Sequence, residues 1–432
     1  MTRVLALAPN RGSRFDSGAA AMYALGVSAA LVAGVALFWE PRPIADALCA
    51  LPLIVWLFGR PGPALVLLGA AIPFVYSLTG GRGGFNLAGS DLLLLFVAAG
   101  MAFDAAISGS LPAWRALRPV SRPVVQYGFL MLLILAFHFG VSDFAKTGQR
   151  FELFALPLLV GAFAALTERH VPLLKAYVVG ATALAVLWPF DHGLGQKNPT
   201  GQMIANAVLL LVGFRPLRRY SLCLVALVPG LVLTGSRGAI AALAIGLVVI
   251  FAFQRLHVSG IGRAAVVIVL AFAGFATLPV ALQSRLTTFS AGFGTAGAYS
   301  LYIRTEYTKD AKQLIRQHPW VGVGVGNYLT GNPLNLTQAQ DPHDVILLQA
   351  AEGGYVFAAS FVILIVGTAF ALWAMRSGDV APVAAAVFLA TVAHGLVDVY
   401  WVRGTPVLGW LLVGMACGVF ARRRSQADQE AS

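Results

Sequence analysis

Apolar residues come in long runs separated by short polar breaks, and one break is far longer than the others. The runs fall near 19–38, 44–58, 63–78, 91–107, 124–139, 151–167, 172–189, 199–214, 220–234, 238–253, 264–282, 345–373, 380–397 and 405–421. A helix that crosses the hydrocarbon layer needs about 17–25 mostly apolar residues, so the pattern predicts an all-α, polytopic membrane protein. Some runs are short enough to merge with a neighbour or re-enter, which sets the expected number of transmembrane helices at 12–14. The chain divides into an N-terminal tail (1–18), a helical bundle (19–282), a long loop (283–344), C-terminal helices (345–421) and a basic tail (422–432).

The long break differs from the others in kind as well as length. About sixty residues without a spanning run is unusual for a connection, and such loops are mostly functional or disordered. Tyr, Trp, Ile and Leu recur through this one, which argues against disorder. Ile303, Tyr307, Ala311, Leu314 and Ile315 follow helical spacing, so an amphipathic helix is expected from Ser300 to about Gln317, ending before Pro319. The loop is predicted to be the lid or wall of a site.

Composition supports the membrane reading and charge supplies its orientation. The chain is 58% hydrophobic and 11% charged, with a net charge of +12. Its basic residues are spread over loops, not gathered on one face, which excludes a nucleic-acid surface. When alternate loops are assigned to opposite sides, 18 of the 30 Lys and Arg fall on the side of the N-terminus, among them Arg60, Arg115, Arg118, Arg169, Arg215, Arg376 and Arg422 to Arg424. Most lie in short loops, where the positive-inside bias operates. Both termini are therefore expected in the cytoplasm and the long loop outside. Met1 to Ser17 lacks a long apolar core and is expected to be an uncleaved tail. Cys49, Cys223 and Cys417 lie singly in apolar runs and read as packing residues.

The cations on the outer side are the exceptions to that bias. Arg82 lies in Thr79-Gly-Gly-Arg-Gly-Gly84, Lys197 in Gly195-Gln-Lys-Asn-Pro-Thr-Gly201, and Arg237 in Thr234-Gly-Ser-Arg-Gly238. Bare backbone beside a cation lets both approach a phosphate; ordinary turn chemistry with interfacial snorkelling accounts for each site equally. In the long loop, Arg304 is expected in the first turn of a helix, where a cation opposes the dipole unless an anion is shared with the free N–H groups. The alternative is a solvated Arg304 near Glu306, Thr308 or Asp310. His343, between Pro342 and Asp344 at the head of an apolar run, suits a general base at the water boundary or a structural role. Gly322-Val-Gly-Val-Gly326 lacks the spacing of a dinucleotide fingerprint and reads as close backbone approach to a ligand or helix. Phosphate-loop, His-Glu-x-x-His and Gly-x-Ser-x-Gly motifs are absent, so neither a metal site nor a cofactor is expected.

At Thr234-Gly-Ser-Arg-Gly238, Tyr302-Ile-Arg304, His318-Pro-Trp-x-Gly-x-Gly324, and Pro342-His343 followed by Glu352-x-Gly354, the chain resembles the O-antigen ligase family. That family also holds O-antigen and exopolysaccharide polymerases. The resemblance implies a GT-C-like fold in the bacterial inner membrane. It implies transfer of a glycan from undecaprenyl diphosphate to an acceptor hydroxyl on the periplasmic face, without metal and with inversion. Carried over by position, Arg237 and Arg304 would bind the diphosphate and His343 would be the base; Arg82, Lys197 and Glu352 remain further candidate substrate contacts. The expected partners are the lipid-linked glycan donor, membrane lipids, and either lipid A-core or a second lipid-linked glycan as acceptor. The family's ligase pattern of His, Asn/Ser/Gln, nine residues and Gly-x-x-Gly/Thr/Tyr fits at His343 and Gly354, with Asp344 and Phe357 departing from it. Ligation to lipid A-core in lipopolysaccharide biosynthesis is the first expectation and polymerisation the alternative. A transporter of lipid-linked glycan is the second functional class, although transporters show midplane charges and repeats that this chain does not display.

Overall fold

The computed structural model describes residues 60–75, 88–108, 112–254, 306–331, 342–398, 401 and 404–431. The regular elements among these residues are all helices, with no strand among them. In order they form α1 (Pro61–Ala71), α2 (Gly89–Ser108), α3 (Pro112–Ala116), α4 (Arg118–Phe137), α5 (Val141–Leu166), α6 (His170–Leu187), α7 (Lys197–Gly213), α8 (Leu224–Thr234) and α9 (Arg237–Gln254). After these come α10 (306–317), α11 (Val345–Ala374), α12 (Ala381–Gly395) and α13 (Val407–Glu430). Among the described residues, six segments are long and apolar enough to cross a membrane: 118–137, 143–166, 170–187, 215–234, 237–254 and 345–374. The apolar runs expected at 19–38, 44–58 and 264–282 lie outside the described residues.

Small residues allow the helices to pack closely, as expected where lipid supplies no hydrophobic drive between them. α5 and α13 meet through Gly161, Gly414 and Gly418, and a Cβ at any of the three would run into partner backbone. The apolar part of α13 is buried from Val407 to Val419, and α12 is buried along most of its length. α4 instead presents Val125, Phe129, Leu132 and Leu133 outward, and α8 presents Val225, Val228, Val232 and Leu233. Such one-sided apolar exposure is that of helices facing lipid.

Contacts along the helices fix their directions. Gly201 lies against Ser236 and Ala239, Leu209 against Gly246, and Gly213 against Ile250, so α7 and α9 run side by side in one direction. α12 runs against them, with Val383 near Gly213 and His394 near Gly238. α11 begins where α12 ends, with Val345 beside Gly395, and α4 runs antiparallel to α11 through Gly367–Pro123 and Gly353–Ile134. The C-terminal ends of α4, α8 and α12 therefore gather with the N-terminal ends of α5, α7, α9, α11 and α13. Arg376 and Arg422 to Arg424 lie at the opposite end, near the α5–α6 and α11–α12 connections.

Two helices exceed the lengths that hydropathy predicts. α13 continues past Ala421 to Glu430, so the basic tail extends a helix. α5 begins at Val141, about three turns before the apolar run near 151, and Asp143, Lys146 and Arg150 in those turns pair with Asn327 and Glu352.

Candidate functional site

The long loop is folded onto the head of α11. Tyr307, Ala311, Leu314 and Ile315 of α10 are buried at the spacing expected of an amphipathic helix. Ala311, Leu314 and Ile315 join Tyr328, Leu348, Ala350, Ala351 and Ala358 in an apolar cluster distinct from the main core. Asp344 caps α11, its Oδ1 accepting from the amides of Ile346 at 2.8 Å and Leu347 at 3.2 Å. Just before the cap, His343 has a left-handed φ of 55° and stacks on Tyr307, ring centroids 5.5 Å apart. Histidine is among the few residues enriched in that region.

α11 is broken at Gly354, whose φ of 77° and ψ of −179° leave helical backbone groups without their usual partners. The loop supplies them. The Val323 amide donates to Ala351 O at 3.0 Å, the Gly324 amide to Glu352 O at 2.9 Å, and Pro319 O accepts from the Tyr355 amide at 2.8 Å. Gly322, with φ of 60°, has no room for a Cβ against the Glu352 and Gly353 backbone. The His-Pro-Trp-x-Gly-x-Gly and Glu-x-Gly stretches are thus two halves of one docking joint. Of the alternatives for the alternating glycines, the structure selects approach to a neighbouring helix.

α5 fastens the joint from the side. Lys146 Nζ donates to Asn327 Oδ1 at 2.5 Å, and Asn327 Nδ2 donates to Asp143. His138, at the end of α4, donates from Nε2 to Val321 O at 3.2 Å. Deeper in, Arg150 pairs with Glu352 at 3.2 Å and also donates to Trp401 O at 2.9 Å. Glu352 is 2% exposed and Arg150 14%. Glu352, a candidate substrate contact by sequence, is therefore buried against Arg150.

The other half of the site is built from helix ends. α8 stops at Thr234 with Gly235 in the left-handed conformation, and Ser236 Oγ accepts from the Ala239 amide at 3.3 Å as α9 begins. Arg237 is the first residue of α9 and Lys197 the first of α7. Because the two helices are parallel, both cations and both sets of free N–H groups lie at the same end, where anions are favoured. Gly238 lies against the imidazole of His394, whose Nδ1 donates to Gln202 Oε1 at 2.8 Å. Gln202 Nε2 in turn donates to Asn206 Oδ1 at 2.8 Å, and Asn198 donates to Asp398. The Gly395–Val345 contact joins this half to the residues following His343.

Of the residues that sequence singles out, the structure gathers His343, Arg237, Lys197 and Glu352 at one end of the bundle. Arg82 and Arg304 lie outside the described residues. Sequence reading missed Arg150 as a partner of Glu352, and Gln202, itself bonded to Asn206, as a partner of His394. Their signals were present: a cation on the outer side at Arg150, and two amides at helical i,i+4 spacing inside an apolar run. Among the described residues, no three His, Cys, Asp or Glu side chains gather as metal ligands. The two departures from the ligase pattern have local explanations. Asp344 does the capping that Asn or Ser also performs, and Phe357 is buried in a stack on Tyr127 with centroids 4.9 Å apart.

No curated protein matches the chain. Residues 222–362 match the family model described as O-Antigen ligase, a stretch that includes the Arg237 turn, the docking joint, His343 and the broken part of α11. The match supports, in general terms, glycosyl transfer of the O-antigen ligase or polymerase kind by a multi-pass membrane protein.

Proposed function

We propose that this protein transfers a glycan from undecaprenyl diphosphate to an acceptor hydroxyl at the periplasmic face of the bacterial inner membrane. The observation that carries the reading is the parallel register of α7 and α9, which puts Lys197 and Arg237 at the end of the bundle where His343 lies beside the docked loop. The far end, rich in Arg422 to Arg424, Arg376, Arg169 and Arg215, is then cytoplasmic.

The donor is already activated, so the protein needs cations for the departing diphosphate and a base for the incoming hydroxyl. In this reaction the acceptor oxygen bonds to the anomeric carbon as the bond from that carbon to the phosphate oxygen breaks. The electron pair leaves with the diphosphate, held by Arg237, Arg304 and Lys197, and the hydroxyl proton passes to His343. Displacement in one step inverts the anomeric configuration. The left-handed backbone at His343 and its stacking on Tyr307 support a fixed imidazole there. The acceptor is lipid A-core in a ligase and a second lipid-linked glycan in a polymerase. Because Asp344 and Phe357 serve capping and packing, their departure from the ligase pattern does not count against ligation.

The test uses purified full-length protein in lipid nanodiscs with undecaprenyl diphosphate glycan, assayed separately with lipid A-core and with a second lipid-linked glycan. Arg237→Lys and His343→Gln should each reduce transfer by about 10²–10⁴-fold while the protein remains folded. His343→Gly accommodates the left-handed backbone, so it should fold as wild type and transfer no better than His343→Gln. Near wild-type transfer by His343→Gln would remove the base role, and by Arg237→Lys the diphosphate clamp.

A further inference from the structure

We propose that Arg150 is a positioning residue that sets the two halves of the transfer site in register, an inference that rests on the roles proposed above for His343 and Arg237. One guanidinium ties three separate elements. From α5 it reaches the carboxylate of Glu352 through Nη2, at 3.2 and 3.3 Å, and Trp401 O through Nη1, at 2.9 Å. Glu352 belongs to the docking joint: its own carbonyl accepts the Gly324 amide, and Gly354 breaks the helix just after it. That joint carries the loop and, seven residues before the helix reaches Ala351, the capped head of α11 with His343 in front of it. Trp401 lies in the connection from α12 to α13, which follows His394 and Asp398. Those two residues face the turns of Arg237 and Lys197, through Gly238 and Asn198 respectively.

Arg150 thus stands between the base side and the diphosphate side while touching neither His343 nor Arg237 in any bond described above. Its geometry suits that task. A guanidinium is a rigid planar fork that holds a carboxylate and a carbonyl at once, whereas lysine offers a flexible point charge. With Glu352 2% exposed, the pair is shielded from water and salt. A misplacement of about an ångström between reacting groups can lower turnover by about a hundredfold, so register between the halves matters more than the bond's own strength.

The experiment compares wild type, Arg150→Lys and the neutral pair Arg150→Met with Glu352→Gln, as full chains in nanodiscs. Amide hydrogen exchange is followed at Val323, Gly324 and Tyr355, and glycan transfer is measured with and without His343→Ala. In Arg150→Lys, exchange at the three joint amides should quicken about tenfold or more, while cooperative thermal unfolding persists. Its kcat should fall by about ten- to a hundredfold, with donor KM changing much less. In the His343→Ala background the same change should cost little further, because the group being positioned is gone. If Arg150→Lys does not insert, the neutral pair leaves no unpaired buried charge and should show the same loss of kcat. Unchanged joint exchange, a wild-type kcat in either variant, or a loss that multiplies fully with that of His343→Ala would overturn the positioning role. Absence of transfer by the wild-type chain overturns the function proposed above instead, and unchanged exchange in Arg150→Lys overturns this inference alone.

Discussion

Arginine has opposite uses at the two ends of the bundle. At the far end, Arg423 pairs with Asp379 at 3.1 Å with the two side chains 47% and 61% exposed, and Arg422 pairs with a Glu168 that is 74% exposed. At the site end, Arg150 meets a carboxylate that is almost wholly buried. Exposed pairs gain little, about 0–1 kcal/mol, because water and salt compete for both charges. A buried pair has no such alternative, so removing one partner strands the other at a cost of about 3–5 kcal/mol. The far-end pairs therefore add little to the fold, whereas the site-end pair holds α5 against the break in α11. Charge type alone does not distinguish these roles; burial does.

The largest expected effect is at the docking joint. Gly322→Ala places a Cβ against the Glu352 backbone and asks alanine to adopt a left-handed φ. The loop should undock, and transfer should fall by about a hundredfold or more, with the Val323 and Gly324 amides losing exchange protection. A docked, active Gly322→Ala protein would show that the joint is not needed for the site.

Charge removal at the two ends tests the comparison directly. Glu352→Gln, measured by reversible unfolding in detergent, should lower stability by about 3 kcal/mol, and Asp379→Asn by less than about 1 kcal/mol. Equal losses would erase the distinction between the ends. Asp344→Ala should fall between them, at about 1 kcal/mol, with Asp344→Asn near wild type because asparagine also caps helices. Smallest of all, raising salt from low to physiological strength should reduce the Asp379 effect and leave the Glu352 effect unchanged, since only the exposed pair is screened.

Much of this was legible in the chain. Eleven of the apolar runs lie on described helices, and the i, i+3, i+4 pattern of Tyr307, Ala311, Leu314 and Ile315 marked α10 and its buried face. The runs also sorted the basic residues into two sets, and the structure puts Arg115, Arg169, Arg215, Arg376 and Arg422 at one end and Lys146, Arg150, Lys197 and Arg237 at the other. The start of α5 was not legible. Val141 to Arg150 includes Asp143, Lys146, Thr147, Gln149 and Arg150, a composition that reads as loop, because a hydropathy window cannot tell a solvated polar residue from one with a buried partner.

The sequence by itself determined the class of the molecule, since runs of apolar residues long enough to cross lipid leave the backbone only the helix as a way to satisfy its own hydrogen bonds. It also marked the loop and its amphipathic helix. Only the tertiary structure decided what those residues do to one another. The glycines of the loop and the Glu-x-Gly of α11 lie far apart in sequence, yet they complete a single set of backbone hydrogen bonds. Arg150 and Glu352 are separated by some two hundred residues and acquire their roles only when α5 packs beside the break in α11. Local pattern reports how one segment meets its solvent, whereas a joint between segments depends on which groups the fold brings within bonding distance.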